Sequence, residues 1–159
     1  MKLLVFSDSH GDAGPMIRVA EARAGTVNYI IHLGDILRDA DVLAARFPEI
    51  PLISVPGNND WTPKIPQERT LELCGRMIYI THGHRQRVHF GTSHLAARAE
   101  SFGAGLVLYG HTHRYSEQAA GGVLLVNPGS ISQPRDNRRG TYAVVTLGEG
   151  INVERGEID

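Results

Sequence analysis

MKLLVFSDSH, residues 1–10, is a short apolar run that stops abruptly at an acid and an imidazole. Leu3 to Phe6 carries no polar residue that would mark a solvent face, as expected of a strand covered on both sides. Beyond it, Asp12 is placed to cap a helix in which Met16, Val19, Ala20 and Arg23 recur at three-and-four spacing. YIIHL (29–33), a helical segment from Leu37 to Phe47 with Ala40, Leu43, Ala44 and Phe47 on one face, and PLISV (51–55) continue the alternation. Strand, helix, strand, helix, strand is the pattern of a parallel sheet with crossover helices.

The second half reads differently. RTLELC (69–74) and RMIYITH (76–82) flank Gly75 and predict an antiparallel hairpin, with Cys74 in the apolar strand and therefore in the core. A helix from Thr92 to Phe102 turns Leu95, Ala96 and Ala99 inward, after which LVLYGHTH (106–113), VLLVN (123–127) and TYAVVTL (141–147) read as strands. The turn-rich NPGSISQPRDNRRG (127–140) separates the last two. The expected architecture is a layered α/β domain over residues 1–159, with a pair of partly parallel, partly antiparallel sheets.

The bulk properties narrow the function classes. The 159 residues are 42% hydrophobic and 21% charged, ordinary globular proportions that give no support to disorder. A formal net charge of −1 lacks the basic excess with which nucleic-acid binders meet a phosphate backbone. Sequence-specific nucleic-acid binding is therefore disfavoured. No run approaches the roughly 18 apolar residues of a membrane span. One cysteine cannot form an internal disulfide, so a cytoplasmic protein without membrane contact is expected; a homo-oligomer stays open.

The decisive pattern is where the apolar runs end. LLVF is followed by SDSH, YIIHL by GD, PLISV by PGNND, MIYIT by HGH and LVLY by GHTH. In an open α/β sheet, ligands bind in the crevice outside the carboxyl ends of the strands, so these Asp, Asn and His residues should converge there. Asp8 and His10, like His111 and His113, are two apart; on a strand-like backbone both members of each pair share a face. Each cluster alone has an ordinary reading as a cap, a turn or a hydrogen-bonded histidine, and His32, His89 and His94 are left in that class. All five together, each at a strand end, point to a shared metal site.

Those clusters, in this order, resemble the calcineurin-like metallophosphoesterase superfamily: DSH (Asp8, His10), GD (Gly34, Asp35), GNND (Gly57, Asn58, Asn59, Asp60), HG (His82, Gly83) and GHTH (Gly110, His111, His113). The compact length and the NPGS of Asn127–Ser130, followed by Pro134 and Arg135, resemble its small YfcE-type phosphodiesterase branch. The resemblance implies a four-layer sandwich of two mixed β-sheets flanked by helices, with a dinuclear metal site at the C-terminal ends of the strands. It further implies that Asp8, His10 and His113 hold one divalent ion, that Asn58, His82 and His111 hold the other, and that Asp35 bridges. The donor set contains no thiolate and admits manganese, the expectation adopted here, as well as iron, nickel, cobalt or zinc.

Two such cations, about 3.5–4 Å apart, can share a water, lower its pKa and so create a bridging hydroxide that attacks a phosphoester. Many superfamily members have His at the third position of G-N-x-D/E, placed to protonate the leaving oxygen; Asn59 stands there in this chain, and an amide cannot act as that acid. His84 is the candidate replacement and Asp60 a candidate orienting carboxylate. Asn58, Asn59 and Asn127 are candidate substrate contacts, and Arg85, Arg87, Arg135, Arg138 and Arg139 can reach a second phosphate substituent. The expected activity is hydrolysis of a small phosphodiester. The alternatives are a phosphomonoesterase or protein phosphatase, a nuclease, and an inactive protein-binding scaffold of the same fold, which would be marked by lost ligands.

Overall fold

A computed structural model describes residues 1–62, 64–136 and 139–158. Arg138, a candidate phosphate contact, lies outside the described residues. The first sheet contains β1 (Lys2–Phe6), β2 (Tyr29–His32), β3 (Leu52–Ser54), β9 (Thr141–Leu147) and β10 (Ile151–Glu157), in the order β10-β9-β1-β2-β3. The second contains β4 (Glu68–Leu73), β5 (Arg76–Thr81), β6 (Leu106–Leu108), β7 (Tyr115–Ala120) and β8 (Val123–Pro128), in the order β4-β5-β6-β8-β7. Both are mixed: β1, β2 and β3 run parallel, as do β5, β6 and β8, whereas β9, β10, β4 and β7 pair antiparallel. Helices α1 (Gly14–Arg23) and α2 (Leu37–Arg46) cover the first sheet, and α3 (Ser93–Ser101) covers the second.

The continuous apolar character of β1 follows from this layering. Leu3 and Val5 enter the core between the sheets, with Ile31, Ile78, Ile80, Leu106 and Leu108. Leu4 and Phe6 point the other way, onto Met16, Val19, Ala20 and Leu43 of α1 and α2. Alternate side chains of one strand thus fill two cores, and neither face can be polar. The layered α/β domain read from the residues, and the four-layer sandwich that the resemblance implies, are the observed architecture.

Three local expectations differ. Cys74 is exposed rather than in a strand: with φ 52°, and Gly75 at 66°, it forms the two-residue turn joining β4 to β5. Paired positive φ values are those of the turn whose twist matches a hairpin. Strands β7 (YSEQAA) and β10 (INVERGE) had no counterpart in the sequence reading. Both are edge strands, half exposed and rich in Glu and polar residues, so neither shows the apolar run that marks an interior strand. Asp12 caps α1 from one residue further out, its carboxylate accepting the Gly14 amide hydrogen at 3.1 Å. No described helix is long and apolar enough to cross a membrane.

Ile31 is fully buried where the two sheets meet. Cutting it to alanine is expected to cost about 2–5 kcal/mol, read as a shift of the urea unfolding midpoint.

Candidate metal centre

Side chains named from the strand ends meet at the edge of the two sheets. Asp8, His10, Asp35 and His113 present ligand atoms that all lie within 4.8 Å of one another. His82 joins them: its Nε2 is 3.5 Å from Asp35 Oδ2 and 3.9 Å from Asp8 Oδ1. Asn58 adds its amide oxygen, 3.2 Å from the same Nε2. The His111 ring lies edge-on to His82, with centroids 5.1 Å apart, and its backbone N–H donates to Asp8 Oδ2 at 3.0 Å. Six of the seven residues expected as ligands therefore bring side-chain donor atoms to one locus, with Asp35 between the group of Asp8, His10 and His113 and that of His82 and Asn58, and the His111 ring lies beside it against His82.

The backbone reason differs from the one read off the spacing. Asp8 and His10 do not continue an extended strand; β1 ends at Phe6, and both residues take left-handed φ values of 56° and 48°. His111 (71°) and His113 (58°) repeat the device, and Asp35 (59°) shares it. Such conformations are uncommon for residues with a Cβ and store strain that the surroundings must hold. Ile36, β-branched at φ 83°, is the extreme case.

The bracing comes from distant loops. Asp60 accepts backbone N–H groups from Asp35 (3.0 Å), Leu37 (2.8 Å) and Gly57 (2.9 Å), clamping the strained turn on both sides of Ile36. Gly57 has to be glycine, because a Cβ there would sit 2.0 Å from Asp35 Oδ1. Ser130 Oγ donates to the Asp8 carbonyl at 2.7 Å and Ser132 Oγ to the Ser9 carbonyl at 2.7 Å. These groups satisfy carbonyls that the turn removes from the ladder. Ser130 belongs to the NPGS segment, and its alternation with Ser132 within NPGSISQ is the sequence signal for this bracing.

Each candidate ligand side chain is oriented by what its other polar atoms do. Nδ1–H of His82 donates to the Leu33 carbonyl and that of His113 to the Gln133 carbonyl, both at 2.7 Å, which turns both Nε2 atoms toward the cluster. Asp8 Oδ2 accepts from the Ser7 hydroxyl at 2.5 Å and from His111 N–H, whereas Oδ1, buried, has no hydrogen-bond partner. Both oxygens of Asp35 accept from Asn59, through its backbone N–H (3.0 Å) and its side-chain amide (2.8 Å). Asn59 thus positions a carboxylate.

Asn127 is buried with its polar atoms committed to Gly110, Thr112 and Gly129, so it braces the His111–His113 loop and offers a ligand nothing. His84 stands half buried, its ring 5.4 Å from that of His82. His89, set aside from the sequence, packs its ring 4.5 Å from His111. Arg85, Arg87 and Arg135 are exposed.

The charges are set by proximity. Burial opposes ionisation of Asp8, but the imidazoles of His113 and His82 and the Ser7 hydroxyl together hold its carboxyl below the usual range. Asp35 is lowered too, burial again being outweighed, by His82 and Asn59. In return, against the effect of burial, Asp35 and Asp8 raise His82, and Asp8 with the Gln133 carbonyl raises His113. His32, fully buried, is pushed down to about 4 by desolvation; it accepts the Gly34 N–H at Nδ1 and meets Ser9 Oγ at Nε2, as a neutral ring would. Burial, with His82 and His89 nearby, takes His111 to about 4.

The chain is similar to known proteins along nearly its whole length. Residues 1–150 match the family model described as the calcineurin-like phosphoesterase superfamily domain. The protein named "Probable metallophosphoesterase YsnB" of Bacillus subtilis is 34% identical over 148 residues, covering 92% of this chain and 85% of that protein. The phosphodiesterase YfcE of Escherichia coli is 28% identical over 169 residues, covering 91% and 87%. A crystal structure from Streptococcus pneumoniae, described as a predicted phosphoesterase, superposes with a TM-score of 0.84 at 34% identity over 97% of this chain and 87% of that one.

Two outcomes follow. Replacing Asp60 by Asn turns one acceptor into a donor facing backbone N–H groups, and should cost about 1–3 kcal/mol in thermal unfolding together with weaker metal binding by calorimetry. In chelator-treated protein, stability should peak near pH 6.5. Below that, the depressed His32 is protonated more in the unfolded chain, so stability falls between pH 6.5 and 4, on the order of 3 kcal/mol from His32. Above it, the raised His82 and His113 hold protons that the unfolded chain has lost, so stability falls as pH rises through their folded values. Unfolding curves across pH measure both limbs; added metal should abolish the alkaline one.

Proposed function

Because the chain belongs to the calcineurin-like phosphoesterase superfamily, we propose that it is a metal-dependent phosphodiesterase whose centre takes two divalent cations. Asp8, His10 and His113 are assigned to one ion, Asn58, His82 and His111 to the other, and Asp35 to both. The carrying observation is Asp8 Oδ1, a buried carboxylate oxygen on which imidazole nitrogens converge, Nε2 of His113 at 3.2 Å and of His82 at 3.9 Å. A buried anion in that state needs a counter-charge, and the Nε2 atoms of His10 and His113, 3.1 Å apart, make a place that suits a cation. The mixed carboxylate, amide and imidazole donors fit manganese, proposed first, and equally nickel, iron, cobalt or zinc.

When bound, two such ions supply an acidified water and positive charge against the phosphoryl oxygens. The chain's own residues set the rest. The Leu33 and Gln133 carbonyls fix the tautomers of His82 and His113, Asn59 and Asp60 fix Asp35 and its turn, and Asn58 lies at the open side of the cluster within reach of a substrate oxygen. Asn59 donates but cannot release a proton, so the leaving oxygen departs without help from this position. Good leaving groups are therefore favoured. All seven ligand positions are filled, which weighs against a pure protein-binding scaffold. The near-neutral charge favours a small substrate over a long polynucleotide.

The test is to strip the metal and assay bis(p-nitrophenyl) phosphate with each divalent ion added back. Hydrolysis should return with metal, and Asp35→Asn should reduce it to background. Aryl diesters should exceed alkyl monoesters in kcat/KM by at least about a hundredfold, the low end of what a positioned acid contributes. Comparable turnover of both would overturn the leaving-group argument. A protein that binds no metal and stays inert with every ion would be a scaffold.

A further inference from the structure

Next to the cluster lies a cavity of about 400 Å³, lined by Asn58, Trp61, Thr62, Gln67, His84 and Arg85. That volume is within the range of small-molecule sites. It begins where the proposed metal centre ends, because Asn58 and His84 belong to its wall and Asn58 Oδ1 touches His82. Trp61 stands at its mouth with 99% of its surface exposed. A side chain of this size ordinarily contributes 150–250 Å² of burial to a core or interface; here it contributes none to the fold. It is also the only tryptophan in the chain.

We propose that Trp61 is the specificity platform of this site, and that a planar aromatic substituent of the phosphoester, a nucleobase or an aryl ring, stacks on its indole. This rests on the phosphoesterase reading above, which places the phosphoryl group at Asn58. From there the substituent that is not cleaved extends along the cavity toward Trp61. The Thr62 hydroxyl and Gln67 amide can hydrogen-bond the edge of a heteroaromatic ring, and Arg85 supplies the positive charge that an anionic ester carries in with it. Stacking of a ring on an aromatic side chain is worth about five- to 150-fold in affinity and depends little on which ring is presented. The site would thus select by flatness rather than by sequence.

Two esters that share a leaving group isolate the effect: phenyl p-nitrophenyl phosphate and methyl p-nitrophenyl phosphate, assayed on the metal-loaded protein. The phenyl ester should have the higher kcat/KM, about fivefold or more, expressed in KM. Trp61→Ala should collapse that ratio toward one, and Trp61→Phe, which keeps a π face, should retain most of it. The lone tryptophan gives a second readout without turnover. In chelator-treated protein, adenosine 5′-monophosphate should quench its fluorescence saturably and ribose 5-phosphate should not. An unchanged ester ratio in Trp61→Ala, or equal quenching by the two phosphates, overturns the proposal. If neither ester is hydrolysed with any ion, the phosphoesterase reading fails separately, and the quenching experiment alone then decides for or against stacking at Trp61.

Discussion

Two carboxylates, Asp8 and Asp35, are buried within 4.8 Å of each other, and the centre is organised around making that tolerable. Like charges at that distance in a medium of low polarizability repel, and each has given up most of its hydration. The Ser7 hydroxyl, the His111 N–H and the two Asn59 donors relieve part of the cost. The imidazoles of His82 and His113 carry more of it, at the expense of holding protons more tightly than histidine ordinarily does. Protons and metal ions thus compete for the same lone pairs, and the polypeptide is arranged so that either can supply the missing positive charge.

Bringing these groups together requires a backbone that turns sharply as soon as each strand ends. Asp8, His10, Asp35, His111 and His113 all lie in the left-handed region, where a Cβ is disfavoured. The strain is held by groups contributed from elsewhere in the chain: Asp60 from the loop after β3, Ser130 and Ser132 from the loop after β8, and Asn127 behind the histidine loop. Rigid sheets packed face to face give those loops a fixed frame, since Leu3, Val5, Ile31, Ile78 and Leu108 leave the strands no freedom to slide. The centre is thereby preorganised.

Asn59 ties this architecture to reactivity. An amide at that position holds Asp35 with both of its donors and withholds a proton from the reaction. Under the proposed phosphodiesterase reading, chemistry at the centre then depends on the substrate's own leaving group, and further discrimination would come from the part of the substrate that is not cleaved. The cavity bordered by Asn58 and Trp61 is where that part would lie.

The sequence by itself determined the layered α/β architecture, because a strand covered on both faces cannot hide its apolar run. It also made the clustered acids, amide and histidines legible, because five separate apolar runs all end in residues of these types. It missed β7 and β10, whose solvent-facing sides dilute the periodic signal, and it placed Cys74 in a core when the hairpin turn had claimed it. How these side chains converge is settled by long-range contacts: spacing suggests an extended backbone, whereas left-handed turns bring them together, held by hydrogen bonds from residues more than a hundred positions away, such as Ser130 on Asp8. Local preference disfavours that conformation, so only contacts between distant segments can select it, and sequence periodicity carries no record of them.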